Sequence, residues 1–348
     1  MKKTVTTLAD GRELIYYDAG DDTVRTAVDP RPLTPVVSRS EIRIDVLTGD
    51  PVAVASHRQS RTHHPPADAC PLCPARAGHE SEIPDEGYEV VVFENRFPSL
   101  SGGAGRCEVV CFTDDHTVSF ADLTEERAAL VLDAWTDRTA ALAALPGVEQ
   151  VYCFENRGRE IGVTLPHAHG QIYGFPYVPP RTAAIRRRID EHWAETGRNL
   201  FDDVLVRERA DAERIVLETE HWTAFVPYAA HWPYEVHLYP RRRVPDLLAL
   251  DGPARTECAQ VYLELLRRFD RIFGPGEPPT PYIAAWHQAP FTDARRADFG
   301  LHLELFTVRR APGKLKFLAG TESGMGAFMN DVRPEEAARR LREVATDR

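Results

Sequence analysis

Leu165-Pro166-His167-Ala168-His169-Gly170-Gln171-Ile172-Tyr173 roughly alternates polar and apolar side chains. Residues two apart on a strand face the same side. The stretch therefore reads as a strand with His167, His169 and Gln171 in one polar row and a core behind it. A solvated strand face or a pair of structural histidines would give the same pattern. What stands upstream makes the row a candidate site: Glu155-Asn156-Arg157-Gly158 and Gly162 precede it. Glycines let a backbone come close to a ligand, and the Asn156 carboxamide can hydrogen-bond a nucleotide or its phosphate.

Working outward, Val151–Glu155 is an apolar strand and Thr124–Leu145 carries a helical apolar period, with Thr124 as N-cap and Glu125 and Glu126 in the first turn. Glu108–Phe112 is a strand before it. The same order returns in the second half. Glu235–Tyr239 lies about 127 residues after Glu108–Phe112, followed by a helix over Ala254–Ile272, a strand ending in Trp286-His287, and Leu301-His302-Leu303-Glu304-Leu305. This alignment sets His302 against His167 and Glu304 against His169, so the second copy has no histidine opposite His169. The fold class is α+β: two tandem related domains, 1–180 and 181–348, with antiparallel sheets that each carry a long helix, joined through an Arg-rich stretch. Pro334–Val344 reads as a closing helix. The first forty residues, with Asp29-Pro30-Arg31-Pro32 and Leu33-Thr34-Pro35, read as an arm without regular structure. Residues 57–87 read as a long loop.

The 348 residues carry 42 Lys+Arg against 53 Asp+Glu, a formal charge of −11. That balance argues against a nucleic-acid surface. No segment approaches the roughly 18 apolar residues of a membrane helix, and the start lacks the apolar core of a secretory signal. Six cysteines without such a signal read as reduced thiols or metal ligands in the cytoplasm. Cys107, Cys111, Cys153 and Cys258 read as buried thiols. Cys70-Pro71-Leu72-Cys73 fits a zinc half-site, a redox pair or coincidence. Zinc would need two more ligands, with His116 and His167 as candidates and His63, His64 and His79 as rivals. Only four of the basic residues are lysines, and two of them, Lys314 and Lys316, stand together. Arg186-Arg187-Arg188 and Arg241-Arg242-Arg243 read as solvated or ion-paired.

Six motifs in order carry a resemblance: Cys70-Pro-Leu-Cys73, Phe93-Glu-Asn95-Arg-Phe-Pro98, Phe112-Thr-Asp-Asp-His116, Phe154-Glu-Asn156-Arg-Gly158, Pro166-His167-Ala-His169-Gly-Gln171 and Ala285-Trp-His287-Gln-Ala-Pro290. From about residue 35 onward the chain resembles the galactose-1-phosphate uridylyltransferases, whose two domains are of the histidine-triad type. The resemblance implies transfer of UMP from UDP-glucose to galactose 1-phosphate in a ping-pong cycle through a uridylyl-histidine. It matches His169 to the nucleophile and Gln171 to the glutamine on the transferring phosphoryl group. Asn95, Asn156 and Thr164, with Gly162 between them, match the nucleotide-contacting region. Lys316, Phe317 and Glu322 match the sugar-phosphate region. Cys70, Cys73, His116 and His167 match a zinc set, and His287 and His302, with Glu304 beside them, a second site for zinc or iron. Arg58 and Arg61 match a segment that reaches a neighbouring subunit's nucleotide, which implies a homodimer. A histidine-triad nucleotide phosphorylase or hydrolase, or a zinc-stabilised nucleotide-binding protein without turnover, would use the same residues.

The chain departs from the family at three places. Ala168 replaces the usual proline between the histidines and so removes a φ restraint. Ile185 lies where some members have a glutamate ligand of the second metal. Met329 lies where some have a glutamine on the sugar phosphate.

Overall fold

The computed structural model describes residues 1–35, 40–60 and 65–346, and these divide into two compact units. Arg61, His63 and His64 lie outside the described residues. Unit 1 comprises Met1–Cys153, Thr164–Ala183 and Pro290–Asp293; unit 2 comprises Phe154–Val163, Ala184–Ala289 and Ala294–Arg348.

The strands of unit 1 are β1 (Lys2–Thr7), β2 (Glu13–Asp18), β3 (Glu41–Ile44), β4 (Pro51–Val54), β5 (Val90–Glu94) and β6 (Arg106–Cys111), then, after helix α1 (Glu125–Ala143), β7 (Gln150–Arg157), which runs on into unit 2, and β8 (His169–Phe175). They form an antiparallel sheet in the order β1-β2-β5-β6-β8, with β3 and β4 as a separate hairpin. The expectation that the first forty residues lack regular structure is overturned, because β1 and β2 are a hairpin of this sheet. Gly11 makes its turn at φ +87°, where other residues are strained. Five of the six residues of β2 are buried on both faces, so it has no polar alternation to read.

α1 begins at the expected cap, with Thr124 Oγ1 accepting the Arg127 N–H at 3.2 Å. It covers β2, β5 and β8. Tyr17 Oη donates to Asp137 of the helix at 2.6 Å, and the Arg138 fork donates to the buried Glu108 at 2.8 and 2.9 Å. The alternate residues of the same strands, among them Tyr16, Val91, Phe93, Val109 and Cys111, pack on the other face against Cys70, Leu72 and Tyr88. The loop carrying the cysteines is thus a lid on the face away from the helix. Gly174 of β8 points to the helix side, where a Cβ would lie 3.2 Å from Val148.

Unit 2 holds α2 (Pro180–Thr196, its first turn in unit 1), α3 (Leu200–Asp211), β9 (Ile215–Glu218), β10 (Trp222–Phe225), β11 (Tyr234–Pro240), α4 (Gly252–Arg271), β12 (Tyr282–His287), β13 (His302–Thr307), the short pair β14 (Arg309–Ala311) and β15 (Lys314–Leu315), α5 (Gly320–Met325) and α6 (Pro334–Glu343). The main sheet runs β12-β13-β11-β10-β9, with each neighbouring pair antiparallel. α4 packs on β10, where Trp222 Nε1 donates to the Ala254 carbonyl at 2.8 Å. Ile189 of α2 and Phe201 of α3 pack with Phe225, Tyr239 and Phe299. The Arg-rich joint is therefore a helix, and Arg188 pairs there with Glu191. Arg242 and Arg243 pair with Asp251 at 2.9 Å and Asp202 at 3.0 Å.

Each half is thus an antiparallel sheet with a long helix, and the duplicated order β6-β8-β7 returns as β11-β13-β12. The register corrects the alignment of the halves, by one residue on β6 and β11 and by two on β8 and β13. Matching the first residues of the strands sets Arg106 on Tyr234 and His169 on His302. The same offsets carry the pair Val109↔Gln171 onto His237↔Glu304. The sequence alignment fails that test, and a one-residue slip turns every side chain to the other face. His302, not Glu304, stands at the place of His169. Among the described residues no helix is long and apolar enough to cross a membrane.

Candidate functional site

β8 begins at His169, and residues 165–168 approach it outside the strand. His167 is therefore not in the polar row. Its ring turns away and is 1 % exposed among the cysteines. The row that forms is His169, Gln171, Tyr173 and Phe175, each partly buried, while Gly170, Ile172 and Gly174 face inward. His169 pairs with Cys111 and Gln171 with Val109, so the row lies on the sheet face opposite α1.

The His169 Nδ1–H donates to the His167 carbonyl at 2.8 Å. This hydrogen bond fixes the tautomer and leaves the Nε2 lone pair as the reactive one. Burial holds the imidazole below the usual histidine range, against the opposing pull of that carbonyl, so the ring is neutral at pH 7. A neutral imidazole with one nitrogen tied down is a competent nucleophile. Beside it, Gln171 Oε1 accepts the Tyr173 hydroxyl at 3.1 Å. Tyr173 Oη in turn lies 3.3 Å from Ser99 Oγ, and Arg58 donates to that serine. Ser99 has no sequence signal. Tyr173 had one, since it lies two residues beyond Gln171 on the same face.

Cys70, Cys73, His116 and His167 bring their four ligand atoms within 4.8 Å of one another. Cys73 Sγ lies 3.4 Å from both His116 Nδ1 and His167 Nδ1, and Cys70 Sγ lies 3.9 Å from His167 Nδ1. A tetrahedral zinc with ordinary Zn–S and Zn–N bonds requires edges of about 3.6 Å, so the donor set fits. The other nitrogen of His167 donates to the Thr113 carbonyl at 2.7 Å, with the Tyr88 hydroxyl at 2.9 Å. Such outer partners orient a ligating imidazole. His79 is bonded through Nε2 to the Cys70 carbonyl at 3.0 Å and stands outside the set.

In unit 2, His287, His302 and Glu304 form a second, fully buried set. Glu304 lies 3.4 Å from His287 Nε2 and 3.6 Å from His302 Nε2, longer than good hydrogen bonds and close to the edge of a metal polyhedron. His302 Nδ1 is 2.8 Å from the Gly300 carbonyl, repeating the geometry of His169. The second half therefore keeps a histidine at the equivalent place, but that ring is 2 % exposed and faces Glu304. Ile185 adds only an apolar contact to the adjoining cluster.

The remaining sequence-predicted residues divide between the units. In unit 1, Asn95 Oδ1 accepts the Phe97 N–H at 2.8 Å just beyond β5, and Thr164 is partly buried. In unit 2, Asn156 sits on β7, and Gly162 takes φ +83° after the turn that follows Gly158. Gly158 cannot carry a side chain, because a Cβ would lie 2.6 Å from Pro281. Lys314 and Lys316 part company. Lys314 is exposed, whereas Lys316 is buried and ion-paired with Glu322 at 3.2 Å. Thr321's hydroxyl, with Lys316, pulls the Glu322 carboxyl down to about 2. Phe317 is exposed, and Met329 meets Glu322 through its backbone N–H at 3.4 Å.

Residues 101–179 match the N-terminal domain family of galactose-1-phosphate uridyl transferase, and residues 186–348 match its C-terminal domain family. The chain belongs to the galactose-1-phosphate uridylyltransferase family. It is 62 % identical to a galactose-1-phosphate uridylyltransferase of Streptomyces lividans, over 99 % of this chain and 98 % of that one. To the Thermotoga maritima galactose-1-phosphate uridylyltransferase it is 36 % identical over 88 % of this chain and 99 % of that one. A solved uridylyltransferase superposes with a TM-score of 0.76 at 30 % identity, covering 88 % of this chain and 98 % of that one. As a member of this nucleotidyltransferase family the chain is an enzyme.

Proposed function

We propose that the protein transfers UMP from UDP-glucose to galactose 1-phosphate through a covalent intermediate on His169. The observation that carries the reading is the His169 ring, tied through Nδ1 to the His167 carbonyl at 2.8 Å, partly exposed and beside Gln171. Nε2 attacks the α-phosphorus of UDP-glucose. The bond from that phosphorus to the bridging oxygen breaks, and glucose 1-phosphate leaves with the electron pair. A phosphate oxygen of galactose 1-phosphate then attacks the same phosphorus. The P–N bond breaks, its electrons return to Nε2, and UDP-galactose is released. Gln171 donates to a non-bridging oxygen, where charge must be balanced for phosphoryl transfer.

Asn95, Asn156, Gly162, Thr164 and Arg58 serve the nucleotide, and Lys316, Phe317 and Glu322 the sugar phosphate. The first half thus supplies the reacting groups and the second half the acceptor site. Cys70, Cys73, His116 and His167 would hold a zinc that anchors the chain two residues before the nucleophile. His287, His302 and Glu304 would hold a second zinc or iron. None of the six cysteines is in a disulfide, which suits a cytoplasmic setting. The working unit is a homodimer. A ping-pong pattern of parallel lines in initial-rate kinetics, with His169→Gly inactive but folded, is the expected result. Intersecting lines, or an active His169→Gly, would overturn the reading. Discharge by inorganic phosphate or water in place of the sugar phosphate would make the enzyme a phosphorylase or hydrolase.

A further inference from the structure

A glutamine that donates to a phosphoryl oxygen must present its NH2, not its carbonyl, and a free carboxamide has no preference between the two. Gln171 is not free to turn. Its Oε1 accepts the Tyr173 hydroxyl at 3.1 Å, from two residues along on the same face of β8. The Tyr173 oxygen lies 3.3 Å from Ser99 Oγ, and Ser99 receives an N–H of Arg58. A guanidinium only donates, so Ser99 Oγ accepts from Arg58, and the single Tyr173 proton lies on Gln171 Oε1, which leaves Ser99 as the donor to Tyr173. Arg58 gives to Ser99, Ser99 gives to Tyr173, and Tyr173 gives to Gln171. Each hydroxyl uses its oxygen as acceptor on one side and its proton on the other, and such chains polarise their members.

We infer that Tyr173 is a positioning residue, whose hydroxyl fixes the Gln171 carboxamide so that both amide protons face the reacting phosphoryl group. Burial raises the tyrosine to about 12, so it keeps its proton at any working pH. The buried Cys107 thiol beside it stays neutral for the same reason, pushed up to about 11. The inference rests on the reading of Gln171 as a donor to the transferring group.

The test is a double-mutant cycle on single-turnover release of glucose 1-phosphate from UDP-glucose, using the full chain. Tyr173→Phe removes one oxygen and should slow release roughly tenfold, the equivalent of one net hydrogen bond, with KM for UDP-glucose and the melting temperature nearly unchanged. In a Gln171→Ala background the same change should have no further effect. Ser99→Ala, one link further out, should give a smaller loss in the same direction. An unaltered rate in Tyr173→Phe, or an equal loss in both backgrounds, would overturn the inference. If Gln171→Ala itself reacts at the parent rate, the reading of Gln171 fails instead.

Discussion

Glu155→Gln is expected to make the protein more stable at pH 8 than its parent, with the difference several-fold smaller at pH 5. Glu155 is 2 % exposed on β7. Tyr262 Oη donates to it at 3.3 Å, and the Tyr282 hydroxyl lies beside it. The nearby Arg157 does not neutralise it, because that guanidinium is already bonded to Asp270 and to the Thr280 carbonyl. Burial, only partly offset by Arg157 and the tyrosines, raises the carboxyl to about 7. The folded chain thus holds this proton more tightly than the unfolded chain. Stability is full below the ordinary glutamate range and is lost as pH rises towards 7. The gap corresponds to about 3 kcal/mol, reached once the group is ionised in both states. Glutamine keeps the shape and has no charge to lose. Denaturant unfolding of both proteins between pH 5 and pH 8.5 measures the difference. Parallel profiles, or a parent that gains on the variant as pH rises, would refute the reasoning.

Arg138→Met takes both fork hydrogen bonds from the buried Glu108 carboxylate, leaves it with the longer 3.3 Å contact to Arg106 Nε, and should cost roughly 3 kcal/mol in denaturant unfolding. Adding Glu108→Leu should recover much of it, because the pair is then removed whole. The purified protein should contain two metal equivalents per chain by elemental analysis. Cys73→Ala should lose one of them together with thermal stability, and His302→Ala should lose the other without the first. Chelation should lower the melting temperature of the parent but not further lower that of the doubly substituted protein.

Much of this was legible in the sequence where one pattern had one explanation. Thr124 with Glu125 and Glu126 announces α1, and two helical periods each followed by two strands announce the duplication. The donor set of Cys70, Cys73, His116 and His167 was legible only as one choice among rivals, since closure of the set depends on the bend at His167. That bend also breaks the polar row, which spacing of two alone could not reveal. β2 was missed because a strand buried on both faces has no alternation. The misalignment of the halves arose because Glu108-Val109 and Glu235-Val236 look alike, whereas register depends on pairing across β6–β8 and β11–β13. The lysine pair was legible as an oddity of composition. Only the fold separates an exposed Lys314 from a Lys316 already matched by Glu322.

The proposed reaction turns on His169 carrying the uridylyl group. Incubating the protein with UDP-glucose alone, quenching, and locating any added uridylyl mass on a peptide tests it most directly. One stoichiometric adduct on the His169 peptide is expected, formed as glucose 1-phosphate is released and discharged by galactose 1-phosphate to UDP-galactose. Turnover with no adduct, or an adduct on any other residue, would contradict it.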